Sequence, residues 1–155
     1  GAGKVIQVSS MLTYKQDGVA EYDDICLWNL LTEKGIVGRV VQDVVTRPPR
    51  KIVRLHGENG CLEWVNGYNS EGDAVVWQDK SGLEEVQLFP KKRPDDFIQE
   101  LQHIAAVLQD GGDSPICLER GLETMLAVAA AHHSQARERN VKIDYSKGFV
   151  LDALS

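Results

Sequence analysis

Asp24, Asp43 and Arg47 are the side chains whose type and position hold the most chemistry. Asp43 lies in a β-branched run beside Val41, Val44 and Val45. An acid in such a strand must face water, a hydrogen-bond partner or a ligand, because burying it unpaired is costly. Asp23 and Asp24 stand together just before another apolar run. Arg47 opens a basic group with Arg50, Lys51 and Arg54 around Pro48 and Pro49, which fits either contact with an anionic ligand or a solvated strand edge. Alternation sets Arg54 opposite Val53 and Leu55.

The remaining reactive types form no constellation by spacing. His132 and His133 are adjacent, so on a helix they point about 100° apart and cannot share a metal as residues four apart do. His103 falls on a helix surface and His56 at the entrance to a turn. Cys26, Cys61 and Cys117 are odd in number and widely spaced, which predicts reduced, mostly buried thiols rather than a zinc or dithiol site. Gly1-Ala2-Gly3-Lys4 has the look of a phosphate cradle but lacks the preceding strand and the glycine at position 6, where Ile6 stands. No metal site, cofactor-binding residue or catalytic triad is assigned.

The first half reads as strands that would position these groups. Lys4 to Thr13, Asp24 to Thr32 and Ile36 to Thr46 are rich in Val, Ile and Leu and are separated by polar, glycine-containing breaks. Pro48 and Pro49 end the third, since proline cannot donate to a ladder. Lys51 to Val65 carries two alternating runs around Gly57-Glu58-Asn59-Gly60, a hairpin signal. Ala74 to Asp79 and Glu85 to Phe89 add two short strands. After Pro94 the period changes. Phe97, Leu101, Ile104 and Leu108 recur at helical spacing until Gly111, and a second helix is predicted from Leu118 to Arg139 with Leu122, Leu126, Ala129 and His133 on one stripe. Val141 to Tyr145 closes the pattern as a strand.

A block of strands followed by a block of helices predicts an α+β fold: a mostly antiparallel sheet of about six or seven strands, two helices on one face, the other face open. With 155 residues and no linker-like tract, one domain over 1–155 is expected. The net charge of -6 opposes general binding to nucleic acid or anionic membrane. The apolar run from Leu122 to Ala131 is too short to span a bilayer, and no charged-then-hydrophobic run opens the sequence, so the expected location is cytoplasmic.

Gly35 to Arg50 (GIVGRVVQDVVTRPPR) followed by His56 to Trp64 (HGENGCLEW) resembles the carboxy-terminal domain of the glucose-fructose oxidoreductase, inositol dehydrogenase and MocA family. Glu21 to Asp24 resembles that family's acidic turn before its long central strand. Asp96 to Ile104 resembles a helix of that domain, Ser114 to Glu123 the loop entering the last helix, and Ala129 to Val141 its end. The resemblance runs from Val5 to Tyr145.

The resemblance implies a two-domain enzyme in which an amino-terminal Rossmann domain holds NAD or NADP and this region supplies substrate positioning and, through the open sheet face, homo-oligomer assembly. The substrate would be a sugar, sugar derivative or polyol. The family's cofactor fingerprint, its Glu-Lys-Pro segment and its Asp-x-x-x-His helix would all lie upstream of this chain, so no catalytic residue is carried over, no cofactor is expected on the chain itself, and hydride transfer is not expected of it alone. Asp24, Asp43 and Arg47 are the candidates for the substrate-facing edge. The competing expectation is a free-standing, non-catalytic binding or scaffold module.

Overall fold

The computed structural model describes residues 2–155. They form two compact units, one from the segments up to Val45 and Ser114–Ser155, the other from Thr46–Asp113. The fold class is the expected α+β, with eight strands arranged as two four-stranded antiparallel sheets. The division falls at Thr46 to Lys51, where the two prolines remove amide donors and no strand forms.

In the first unit, β1 (Val5–Asp17) and β2 (Ala20–Thr32) make a long hairpin, β3 (Val37–Asp43) adds to β2, and β8 (Val141–Lys142) pairs briefly with the other edge of β1. Helix α2 (Leu118–Arg137) packs on this sheet. Val8 and Leu12 of β1 point toward it and are buried, as strand alternation requires. The core joins Val8 to Leu126, Ala127, Ala130, Ala131 and Val141, and Trp28 packs against it. Four of α2's five buried residues are alanine or serine, so its backbone can approach the sheet closely.

The buried residues of α2 are Leu126, Ala127, Ala130, Ala131 and Ser134. Of the expected stripe of Leu122, Leu126, Ala129 and His133, Leu126 is buried and Ala129 packs against the core, so the buried face is rotated by about one residue toward Ala130 and Ser134. Hydrogen bonding explains the rotation. β8 covers only Gln7 and Val8, which leaves the amides of Ser10 and Leu12 on an unpaired edge. Ser10 N–H donates to Ser134 Oγ at 3.1 Å and Leu12 N–H to Gln135 Oε1 at 2.8 Å. Ser134 Oγ donates in turn to Arg139 O at 2.6 Å, and Ser10 Oγ to Ala131 O at 2.5 Å. A buried amide without a partner costs about 1–3 kcal/mol, so the helix must present its polar residues here. Glu138, in the left-handed conformation at φ 52°, ends α2 beside Arg139.

The second unit is a meander of β4 (Ile52–Gly57), β5 (Gly60–Asn69), β6 (Gly72–Asp79) and β7 (Glu84–Pro90), followed by α1 (Asp95–Asp110). The turn at Glu58 and Asn59 is the predicted one. Gly60 follows it at φ 146°, where a Cβ would meet Gln78 O at 2.0 Å, so only glycine fits. Helix α1 forms at the expected spacing with Asp95 and Asp96 in its first turn, yet none of its residues is buried.

One carboxylate fastens an end of this meander. Asp73, only 8% exposed, accepts Gly67 N–H at 2.8 Å, Asn66 Nδ2 at 3.1 Å and Lys91 Nζ at 3.0 Å. The Gly67 amide foremost, then Lys91 and Asn66, hold its carboxyl below the ordinary range against the opposing effect of burial. A depressed folded pKa gives stability that is complete above the unfolded value of about 3.9 and is lost as pH falls through the folded value. The protection of the Asn66 to Asp73 amides, measured as exchange relative to the unfolded chain at the same pH, should therefore fall on acidification below about pH 4. In Asp73→Asn these amides should already exchange faster at neutral pH, with a shallower acid dependence.

Candidate functional site

Register brings two of the three candidate residues to one corner of the first unit. Thr13 pairs with Ile25 and Tyr14 with Asp23, so Asp24 is the extra residue of a β-bulge. The bulge turns Asp24 to the side of Thr13, whose hydroxyl donates to Asp24 Oδ1. Ile25 also pairs with Asp43 across β2 and β3, which puts Asp43 on that same side. The main chain ties the corner together, with Val44 N–H donating to Asp24 O at 3.1 Å and Val45 N–H to Asp43 Oδ1 at 2.9 Å. Both acids are half-buried. Arg47 belongs to the second unit, is exposed, and donates from Nη1 to Thr46 O at 2.9 Å.

This side of the sheet is the one turned away from α2. A shallow depression of about 710 Å³ lies on it, lined by Gln7, Ser9, Asn29, Leu31, Val37 and Arg39 among others. Ser9 pairs with Asn29 and Asn29 with Arg39, so three polar side chains run in a row across three strands. Sequence reasoning passed over this row, although period-two counting from Thr13 and Asp43 reaches Ser9 and Arg39. Around it Met11 is 64% exposed, Val37 79% and Val41 61%.

On the α2 side the fold assembles a cluster that no spacing signalled. His132 Nε2 lies 3.2 Å from Asp23 Oδ2, and the Tyr14 ring sits 6.4 Å from the His132 ring. Cys26 is hydrogen-bonded to Asp23. Burial, then the charge of Asp23, pushes the Cys26 thiol up, and the same two causes raise the Tyr14 hydroxyl. A protonated thiol is a poor nucleophile, so Cys, His and Asp in proximity do not here make an activated cysteine. His133 Nδ1 is buried without a hydrogen-bond partner, so the two histidines have different surroundings. Among the described residues no group of three or more His, Cys, Asp or Glu could hold a metal, and no helix is long and apolar enough to cross a membrane.

Nor do the residues present fit a dinucleotide. All strand pairings within the two sheets are antiparallel, so among the described residues there is no parallel β-α-β unit whose helix start would meet a pyrophosphate. Gly1 of the opening Gly-Ala-Gly-Lys lies outside the described residues. Lys4 Nζ contacts Glu123 at 3.0 Å and Lys4 N–H donates to Glu33 Oε1 at 3.2 Å, so carboxylates take the positions an anion would need. Of the three thiols, Cys117 is exposed and Cys26 and Cys61 are intermediate. Alkylation by iodoacetamide near pH 8, followed by mass spectrometry, should modify Cys117 well before Cys26, and Asp23→Asn should speed Cys26. Equal rates at Cys26 with and without Asp23 would show that the carboxylate does not restrain the thiol.

Residues 2–143 match the model of the oxidoreductase family C-terminal alpha/beta domain of the glucose-fructose oxidoreductase, inositol dehydrogenase and MocA enzymes. No curated protein matches the chain. Solved structures with a similar fold include an oxidoreductase from Agrobacterium radiobacter in complex with NAD+, L-tartaric acid and magnesium (TM-score 0.72, 21% identity, covering 91% of this chain and 44% of that one). Another is the aldose-aldose oxidoreductase from Caulobacter crescentus complexed with glycerol (TM-score 0.74, 19% identity, 91% and 42%). A third is a levoglucosan dehydrogenase in complex with NADH and L-sorbose (TM-score 0.70, 16% identity, 91% and 45%). The chain thus spans less than half the length of these structures. With a family match that runs from the second residue through β8, the chain belongs to the Gfo/Idh/MocA oxidoreductase family, as its C-terminal domain.

Proposed function

We propose that the chain is the carboxy-terminal part, over 1–155, of a two-domain NAD(P)-dependent oxidoreductase acting on a sugar, sugar derivative or polyol. The observation that supports this best is the family match over residues 2–143 in a chain less than half as long as similar solved structures. Those structures hold NAD+ with L-tartaric acid, glycerol, and NADH with L-sorbose, all polyhydroxylated companions. The residues of this chain do not fit the dinucleotide, so hydride transfer is assigned to the parent's amino-terminal Rossmann domain. This chain's share is positioning and assembly, in a cytoplasmic enzyme.

Asp24, Asp43 and Arg47 are proposed as the substrate-facing edge. Ionised carboxylates are acceptors only, which suits hydroxyl donors, while arginine offers a fork of donors to carbonyl or carboxylate oxygens. The face carrying Met11, Leu27, Val37 and Val41 is proposed as the homo-oligomer surface. Four exposed apolar side chains on one sheet face lose hydration when a second copy covers them, and a two-fold interface needs just such a self-complementary patch.

The coding sequence upstream of Gly1 tests the central reading: a strand, a Gly-x-Gly-x-x-Gly turn and a later Glu-Lys-Pro segment are expected there, and a natural protein that starts near Gly1 would overturn it in favour of a non-catalytic module. In the intact enzyme, Asp43→Ala and Arg47→Ala should each lower kcat/KM for the alcohol substrate by about 10-fold or more, the worth of one hydrogen bond to a charged group. Cofactor affinity should not change. Unaltered kinetics in both variants would remove the two residues from the substrate edge. Val41→Glu should shift the intact protein toward monomer in light scattering, since it puts a charge into the apolar surface.

A further inference from the structure

We propose that one end of the second sheet is a binding site for the phosphoryl group of a small molecule. Strand order collects basic residues there from distant parts of the sequence. Lys51 enters β4 beside the end of β5, with Asn66 N–H donating to Lys51 O at 3.0 Å. Lys91, Lys92 and Arg93 leave β7 beside the start of β6, with Lys91 N–H donating to Glu71 O at 3.0 Å. The four cations line a cavity of about 380 Å³ together with Asp73 and Asp96.

The two carboxylates offset only part of this lining, which holds four cations against two acids. Asp73 accepts from Gly67 and Asn66 and pairs with Lys91, so it balances that ammonium and holds it at the cavity wall. Asp96 Oδ1 accepts the Phe97 amide at 3.1 Å. The side chains of Lys51, Lys92 and Arg93 make no hydrogen bond or ion pair among the described residues. Lys51, Lys92 and Arg93 against Asp96 leave the cavity net positive in a chain of net charge -6, and the surplus cations repel one another unless an anion joins them. A phosphoryl dianion answers this with three acceptor oxygens that ammonium and guanidinium groups can share. The volume is at the small end of metabolite pockets, and the overall negative charge works against a polynucleotide. The site is independent of the dehydrogenase reading, since it uses none of Asp24, Asp43 or Arg47.

Calorimetric titration of the full chain with glycerol 3-phosphate and with inorganic phosphate, at constant ionic strength set by chloride, tests the site. One-to-one saturable binding is expected, weakened about tenfold or more in Lys92→Glu/Arg93→Glu and in the milder Lys51→Ala. Lys15→Glu, an exposed lysine of β1, should leave it unchanged. Tighter binding of the ester marks a phosphorylated metabolite as the ligand, and equal binding marks free phosphate. Absence of saturable binding, undiminished binding in both cavity variants, or equal weakening by Lys15→Glu would overturn the proposal.

Discussion

The amide edge of β1 governs how the first unit is put together. Past Val8 this edge has no strand beside it, and the donors of Ser10 and Leu12 must be satisfied or exposed. Ser134 and Gln135 satisfy them from α2. That requirement fixes the rotation of the helix, and the rotation decides which alanines are buried. It also brings His132 against Asp23. A helix rotated so that Ser134 and Gln135 left this edge would leave the amides of Ser10 and Leu12 without these partners and forfeit about 1–3 kcal/mol for each.

The second unit has the opposite character. Ala74 and Asp73 are its only buried residues among those described, while Ile52, Val53, Leu55, Trp77, Leu88 and Phe89 stay substantially exposed. Its local structure comes from turns and polar ties instead: Asn69 Oδ1 accepts the amides of Glu71 and Gly72, and Asp79 Oδ1 those of Ser81 and Leu83. Such ties specify a meander but contribute about 1 kcal/mol each, far less than burial of the same apolar side chains would. The exposed stripe of α1, from Phe97 to Leu108, makes the same point.

What was legible in the sequence was what depends on near neighbours. Asn59 and Gly60 announce a hairpin because turn conformation is set within four residues, and α1 follows from the spacing of Phe97, Leu101, Ile104 and Leu108. The two-sheet division was half legible, since Pro48 and Pro49 end a strand but do not say which strands pair beyond them. The bulge at Asp24 was not legible, because an extra residue exists only relative to the register of β1. The ties from Ser134 and Gln135 were invisible for a similar reason: a polar residue counts against a buried helix face until the partner it serves is known.

The bulge bears on chemistry as well as on shape. With strict alternation Asp24 and Asp43 would point to opposite sides of the sheet, since Asp43 shares its side with Ile25. One inserted residue puts both acids on the same open side, next to a hydroxyl from Thr13. Two like charges brought together raise the electrostatic cost of any anion that approaches and favour ligands that donate hydrogen bonds. An alcohol-rich, uncharged molecule meets that condition, whereas a phosphorylated one does not at this corner. The uncommitted cations of Lys51, Lys92 and Arg93 lie instead in the second unit, so the two units offer surfaces of opposite electrostatic preference.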